Sequence, residues 1–144
     1  MVSRTIAEKL LIRPGNTVAA IDPPGDYAAL VGGLPAGARL AAGPGVGTDL
    51  VHVFVRDQAE LAATWPAVAA AIPPEAILWI SYPKRGPGVT TDLTRDQGWR
   101  PVREAGFDPV SQIAIDGRWT ALRWRRDPEL RAAREARGAR VGRD

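Results

Sequence analysis

Ala76-Ile77-Leu78-Trp79-Ile80-Ser81-Tyr82-Pro83-Lys84-Arg85 is the stretch that decides the fold: an apolar run that stops at a proline, two cations and the flexible Gly86-Pro87-Gly88. Its length fits a strand, and its near-continuous apolar character fits one buried on both faces, as in parallel sheets. Proline cannot donate to a continuing ladder, so the strand ends there and hands Lys84 and Arg85 to a loop. In an open α/β sheet, the loops leaving the strand ends form the crevice in which ligands bind.

Working outward, residues 49–55 are apolar at nearly every position and read as a second central parallel strand, with Arg56 and Asp57 marking its end. Between these strands, Ala59, Leu61, Ala62, Trp65, Val68, Ala69 and Ile72 follow a helical period, which Pro66 is expected to kink or restart. Upstream, residues 5–12 carry Ile6, Leu10 and Leu11 at helix-compatible spacing, and residues 17–21 form a compact first strand ended by Asp22-Pro23-Pro24-Gly25. A short helix over 26–31, closed by Gly32-Gly33, and a weak strand over 38–42 complete the amino-terminal half.

Downstream, Thr94 and Gln97 have capping-box spacing and predict a helix to Ala105, closed by Gly106, with Pro101 as an irregularity. Strands over 110–115 and 119–124 flank Asp116-Gly117, a hairpin turn signal. Asp127-Pro128-Glu129 then caps a polar helix. The organisation expected is an α/β domain over residues 1–126, a single Rossmann-like three-layer unit whose mostly parallel sheet ends in an antiparallel hairpin. An Arg-rich polar helix or tail follows over residues 127–144.

At 144 residues the chain is long enough to bury one continuous core. It has no cysteine, which excludes disulfides, thiolate metal ligands and thiol nucleophiles, and its one histidine is His52. Without a long apolar segment or a leader pattern, a cytoplasmic location with no membrane association is the expectation. The formal charge of +3 is uneven: positions 123–144 hold eight arginines against four acids, leaving the body near neutral. Acids interspersed among the arginines suit a solvated helix face, and the chain lacks an RNA-binding aromatic motif, so a nucleic-acid partner is not expected.

Parallel units followed by a closing antiparallel hairpin resemble the later part of the Rossmann-like S-adenosylmethionine methyltransferase fold. In that family a glycine-rich loop after the first strand contacts the cofactor, and an acid ending the second strand binds ribose. Here the loop is Asp22-Pro23-Pro24-Gly25-Asp26, without Gly-x-Gly spacing, and its prolines remove backbone donors. More locally, the Leu-Trp-x-x-x-Pro-Lys signature of Leu78 to Lys84, with Thr91-Asp92-Leu93, Ala114-Ile115-Asp116 and Trp119-Thr120-Ala121-Leu122-Arg123, is similar to a bacterial domain-of-unknown-function family. Its members are treated as truncated, degenerate relatives of the methyltransferase architecture. The similarity runs from Lys9 to about Arg125 and implies the fold without supplying an activity.

Lys84 and Arg85 are candidates to bind a phosphate or carboxylate, with Gly86 and Gly88 letting backbone N–H groups turn toward the anion. Asp22, at the end of the first strand, is a candidate base or an ion-pair partner for Lys84 across the crevice. Ser81 and Tyr82 are read as hydrogen-bonding groups on the same edge, and a serine without a nearby histidine is a poor nucleophile. His52 lies inside an apolar strand and is expected to hydrogen-bond within the core. Trp79 and Trp124 read as core residues, whereas Trp99 and Trp119 stand near turns where an aromatic can pack over a ligand.

Two functions follow. The first is non-catalytic binding of an anionic small molecule or acidic partner by Asp22, Ser81, Tyr82, Lys84, Arg85 and Asp92, with no metal and no cofactor. The alternative is a divergent methyltransferase-like enzyme using S-adenosylmethionine, with Asp22 or Asp92 as base and Tyr82 or a tryptophan toward the substrate.

Overall fold

A computed structural model describes residues 4–126; the expected Arg-rich helix or tail over 127–144 lies outside the described residues. In chain order the elements are α1 (Ile6–Lys9), β1 (Thr17–Ile21), α2 (Tyr27–Leu30), β2 (Arg39–Ala41), β3 (Leu50–Phe54), α3 (Gln58–Ala71), β4 (Ile77–Pro83), α4 (Arg100–Glu104), β5 (Phe107–Ala114) and β6 (Trp119–Arg126). The strands form one six-stranded mixed sheet in the order β2-β1-β3-β4-β6-β5. The first four are mutually parallel, while β6 runs antiparallel to both β4 and β5, so the closing hairpin inserts its second strand next to β4.

Alternation along the strands sends successive side chains to opposite faces of the sheet, and each face carries its own core. Val51, Val53, Leu78 and Ile80 pack with Leu61, Trp65 and Val68 of α3 and with Trp99 and Val102 around the start of α4. Leu50, Phe54, Val18 and Trp79 pack with Tyr27 of α2 and with Ala7 and Leu10 at α1. All five residues of β3 are buried, as expected of a parallel strand covered on both sides. Trp79 also donates its indole N–H to the Leu10 carbonyl at 2.9 Å, fastening the amino-terminal segment to the sheet.

Side-chain caps set the helix starts. Thr5 and Glu8 form a reciprocal capping box on α1, Asp26 accepts from Ala29 N at the head of α2, and Asp57 accepts from Glu60 N at the head of α3. The first helix is shorter than its apolar spacing predicts because Leu11 adopts φ 70°, outside the helical region. Helix α3 continues through Pro66 without restarting. The lost donor would have met Ala62, and both residues are exposed, so the freed carbonyl faces water.

Two boundaries differ from the sequence reading. The Thr94 side chain does accept from Gln97 N, at 3.1 Å, but the chain there only turns, and α4 begins at Arg100. Gly98 at φ 98° interrupts any continuous helix, and Pro101 then sits in the first turn, where its missing N–H costs nothing. Strand β5 begins at Phe107 instead of residue 110, because an irregularity between Pro109 and Ser111 absorbs the proline within the ladder. Among the described residues no helix is long and apolar enough to cross a membrane.

Candidate functional site

The chain leaves β1 to form β2 on one side and returns to form β3 on the other. Such a reversal opens a crevice outside the carboxyl ends of the two strands, since their loops diverge to opposite faces. The antiparallel β6 starts where β4 ends, with Pro83 opposite Trp119, so the β5–β6 turn joins the same edge. Asp116 shapes that turn by accepting from Arg118 N at 2.7 Å and Trp119 N at 2.9 Å. The Lys84 N–H donates to the Arg118 carbonyl at 2.9 Å and locks the turn beside the β4 loop.

The resulting cavity, of about 870 Å³, takes Pro24 from the β1 loop, Arg56 from the β3 loop, residues 83–90 from the β4 loop and residues 117–119 from the hairpin. Among the described residues its lining contains Arg56, Lys84, Arg85 and Arg118 and no carboxylate. Arg56 is partly neutralised by Glu60, whose Oε2 lies 3.4 Å away on the surface. Lys84, Arg85 and Arg118 make no ion pair with another described residue. Cations thus predominate in the lining, with two carboxylates, Asp26 and Asp116, in an adjoining recess that shares Pro24, Arg118 and Trp119.

The β4 loop is held at its far end. Thr91 Oγ1 donates to the Arg56 carbonyl at 2.7 Å, and Asp92 Oδ1 accepts from Gln58 N at 2.8 Å while the Gln58 amide donates back to the Asp92 carbonyl at 3.0 Å. Asp92 thus places a negative charge at the amino end of α3, where the free N–H groups and the helix dipole favour it. Between these ties and Pro83, residues 85–90 are exposed over the crevice.

Of the six residues expected at the site, the structure brings Lys84 and Arg85 into the crevice together. Asp22 is exposed, at φ 55°, and the β1 loop contributes Pro24 to the lining in its place. No Asp22–Lys84 ion pair forms among the described residues, because β3 lies between the strands that carry them. Tyr82 points to the opposite face, edge-on to Trp99 at 5.5 Å, and reaches a separate recess of about 230 Å³ lined also by Lys84, Arg85 and Arg95. Its hydroxyl is pushed above the ordinary phenol value by burial, with Arg95 opposing and Asp96 adding to the shift.

Ser81 turns inward. Its Oγ lies 2.7 Å from His52 Nε2, and His52 Nδ1 lies 2.8 Å from the Tyr27 hydroxyl, so the serine does have a histidine beside it. That spacing is one a nucleophile and its base adopt, yet Ser81 and His52 have no exposed surface and neither lines the crevice. The ring stacks on Phe54 at 4.3 Å, and burial lowers its pKa to about 3, so it is neutral. The expectation that His52 hydrogen-bonds within the core agrees with this chain.

Arg56 and Arg118 were not among the expected site residues. Each is the first exposed cation next to a strand end, which is a readable signal once strand direction is known. Trp119 lines the crevice, whereas Trp99 is fully buried with its indole N–H on the Thr94 carbonyl at 2.7 Å. No protein-family model matches the chain and no curated protein matches it.

Proposed function

We propose that this is a cytoplasmic, non-catalytic domain that binds an anionic small molecule in the crevice at the carboxyl edge of its sheet. One observation carries the reading: among the described residues the cavity is lined by four cationic side chains and no carboxylate. Four like charges gathered at one edge repel one another, and a bound anion relieves that repulsion. Gly86 and Gly88, with nothing within 4 Å of a built Cβ, leave room for the backbone to approach such a ligand.

We also read the architecture as a Rossmann-like three-layer fold, a truncated relative of the methyltransferase type within the bacterial family that shares the Leu-Trp-x-x-x-Pro-Lys signature. A parallel run from β2 to β4, cores on both faces, and a final strand inserted beside β4 support this reading. The crevice suits S-adenosylmethionine poorly. That molecule carries a sulfonium and an ammonium against a single carboxylate, whereas the lining offers only cations, and Pro23-Pro24 removes N–H donors from the loop that would meet the adenosine. Charge thus favours anion binding over the methyl-donor alternative.

Thermal melting in the presence of inorganic pyrophosphate tests the proposal. A ligand specific for the folded state raises the melting temperature with concentration, and Lys84→Ala is expected to reduce that rise. No rise in the wild type with pyrophosphate, inorganic phosphate or phenyl phosphate, or a rise untouched by Lys84→Ala and Arg118→Ala alike, would remove the reading. Stabilisation by S-adenosylmethionine stronger than by pyrophosphate would favour the enzyme instead.

A further inference from the structure

The crevice is larger than a bare anion needs, and part of its lining is apolar. At about 870 Å³ it falls in the range, roughly 300–1,000 Å³, of pockets that enclose whole organic ligands. Between its cations it is lined by Pro24, Pro83, Pro87, Val89 and Trp119. A proline has no backbone N–H and no polar side-chain atom, so three of these residues can give an anion nothing. A bare polyphosphate seated among them would lose water on its apolar side without gaining donors there.

The two kinds of lining come from distinct parts of the edge. The cations Lys84 and Arg118 are joined through their backbones at the β4–β6 boundary, while Pro24 enters from β1, two strands away, and Pro87 and Val89 come from the exposed part of the β4 loop. Val89 is 43% exposed, and of the large apolar side chains that stand exposed among the described residues it is the one in this lining. The pyrrolidine rings of the prolines and the indole of Trp119 contribute C–H-rich surface, which favours a ring over a flexible polar chain.

We infer that the ligand is an organic phosphate with an apolar ring in its body: the phosphate meets Lys84, Arg85 and Arg118, and the ring lies against Pro24, Pro87 and Val89. This rests on the anion-binding reading above and adds the class of molecule. Burying one face of a ring against apolar lining is expected to strengthen binding about tenfold over phosphate alone.

Calorimetric titration with inorganic phosphate and with phenyl phosphate, on wild type and Val89→Ser, separates the two claims. The expected result is phenyl phosphate binding about tenfold more tightly than inorganic phosphate in the wild type, with that ratio reduced at least threefold in Val89→Ser. Val89 lies in an exposed loop, so the variant keeps the fold. Equal affinity for the two compounds would overturn the inference and leave anion binding standing. A preference for phenyl phosphate unaffected in Val89→Ser would overturn it too, by placing the ring elsewhere. Failure of both compounds and of pyrophosphate to bind would remove the anion reading itself.

Discussion

His52 and Ser81, on adjacent parallel strands, meet through Nε2 and Oγ at 2.7 Å in a part of the core with no solvent access. The other ring nitrogen reaches the Tyr27 hydroxyl, so a continuous polar chain crosses from β4 through β3 to α2. A neutral imidazole has one donor and one acceptor, and the two hydroxyls satisfy both in either direction. An imidazolium would have two donors in a buried, aromatic-lined site, and desolvation keeps it from forming until pH is about 3. Through Tyr27 the chain ties α2 to the sheet.

Acid should therefore weaken the fold through His52. The unfolded chain takes up this proton near the ordinary value of 6.5, the folded one only near 3. A lowered folded pKa means the contribution is fully present above 6.5 and is lost as pH falls toward 3, at up to about 1.4 kcal/mol per pH unit. Urea denaturation at pH 7 and pH 5 should show a loss on the order of 2 kcal/mol from this group. His52→Gln should be less stable at pH 7 but lose less between the two values. Parallel declines in both proteins would show that His52 does not carry the dependence.

Tyr27→Phe and Ser81→Ala each leave one nitrogen of the buried ring without a partner. Each is expected to cost about 1–3 kcal/mol in chemical denaturation. Neither hydroxyl reaches the crevice, so pyrophosphate affinity should stay at the wild-type level in both variants. Loss of binding in Ser81→Ala at unchanged stability would give the serine a ligand role that its inward orientation does not support.

These residues also mark how far the sequence could be read. The bounds of β1, β3 and β4 are legible because each is a compact apolar run closed by a proline or a charged pair. Lys84 and Arg85 could be placed at a strand end for the same reason. The Ser81–His52 contact depends on inter-strand register, in which Ser81 pairs with Phe54 and so stands diagonally across from His52 on one face, and no local pattern encodes that offset. Arg56 and Arg118 reach the same crevice only because β6 reverses direction beside β4, a fact of topology. The helix start at Arg100 was hidden by a true Thr94–Gln97 bond that forms a turn but no helix.

Gly98 links that turn to the site, and substituting it should be costly. A Cβ there would lie 2.6 Å from Leu93 Cδ2 and 3.0 Å from Gln58 Cγ, at a φ of 98° that other residues rarely adopt. Gln58 is also the residue that ties Asp92 to α3. Gly98→Ala is expected to destabilise the protein by about 2 kcal/mol or more, from overpacking and backbone strain together. Gly86→Ala, where nothing lies within 4 Å, should stay within about 0.5 kcal/mol of wild type. Similar melting curves for the two variants would contradict the packing around Leu93.

Lys84 and Arg118 stand side by side because the Lys84 N–H is bonded to the Arg118 carbonyl at 2.9 Å. Both head into solvent-accessible space, so their attraction for an anion is screened by salt. Pyrophosphate affinity should fall as ionic strength rises, and Lys84→Ala should both weaken binding about fivefold, the equivalent of roughly 1 kcal/mol, and flatten the salt dependence. Lys84→Arg retains the charge and should restore most of the slope. Lys9→Ala, which removes a cation on α1 outside the crevice, serves as the comparison. A drop in affinity of equal size in Lys9→Ala would mean that net charge, and not the crevice, governs the interaction.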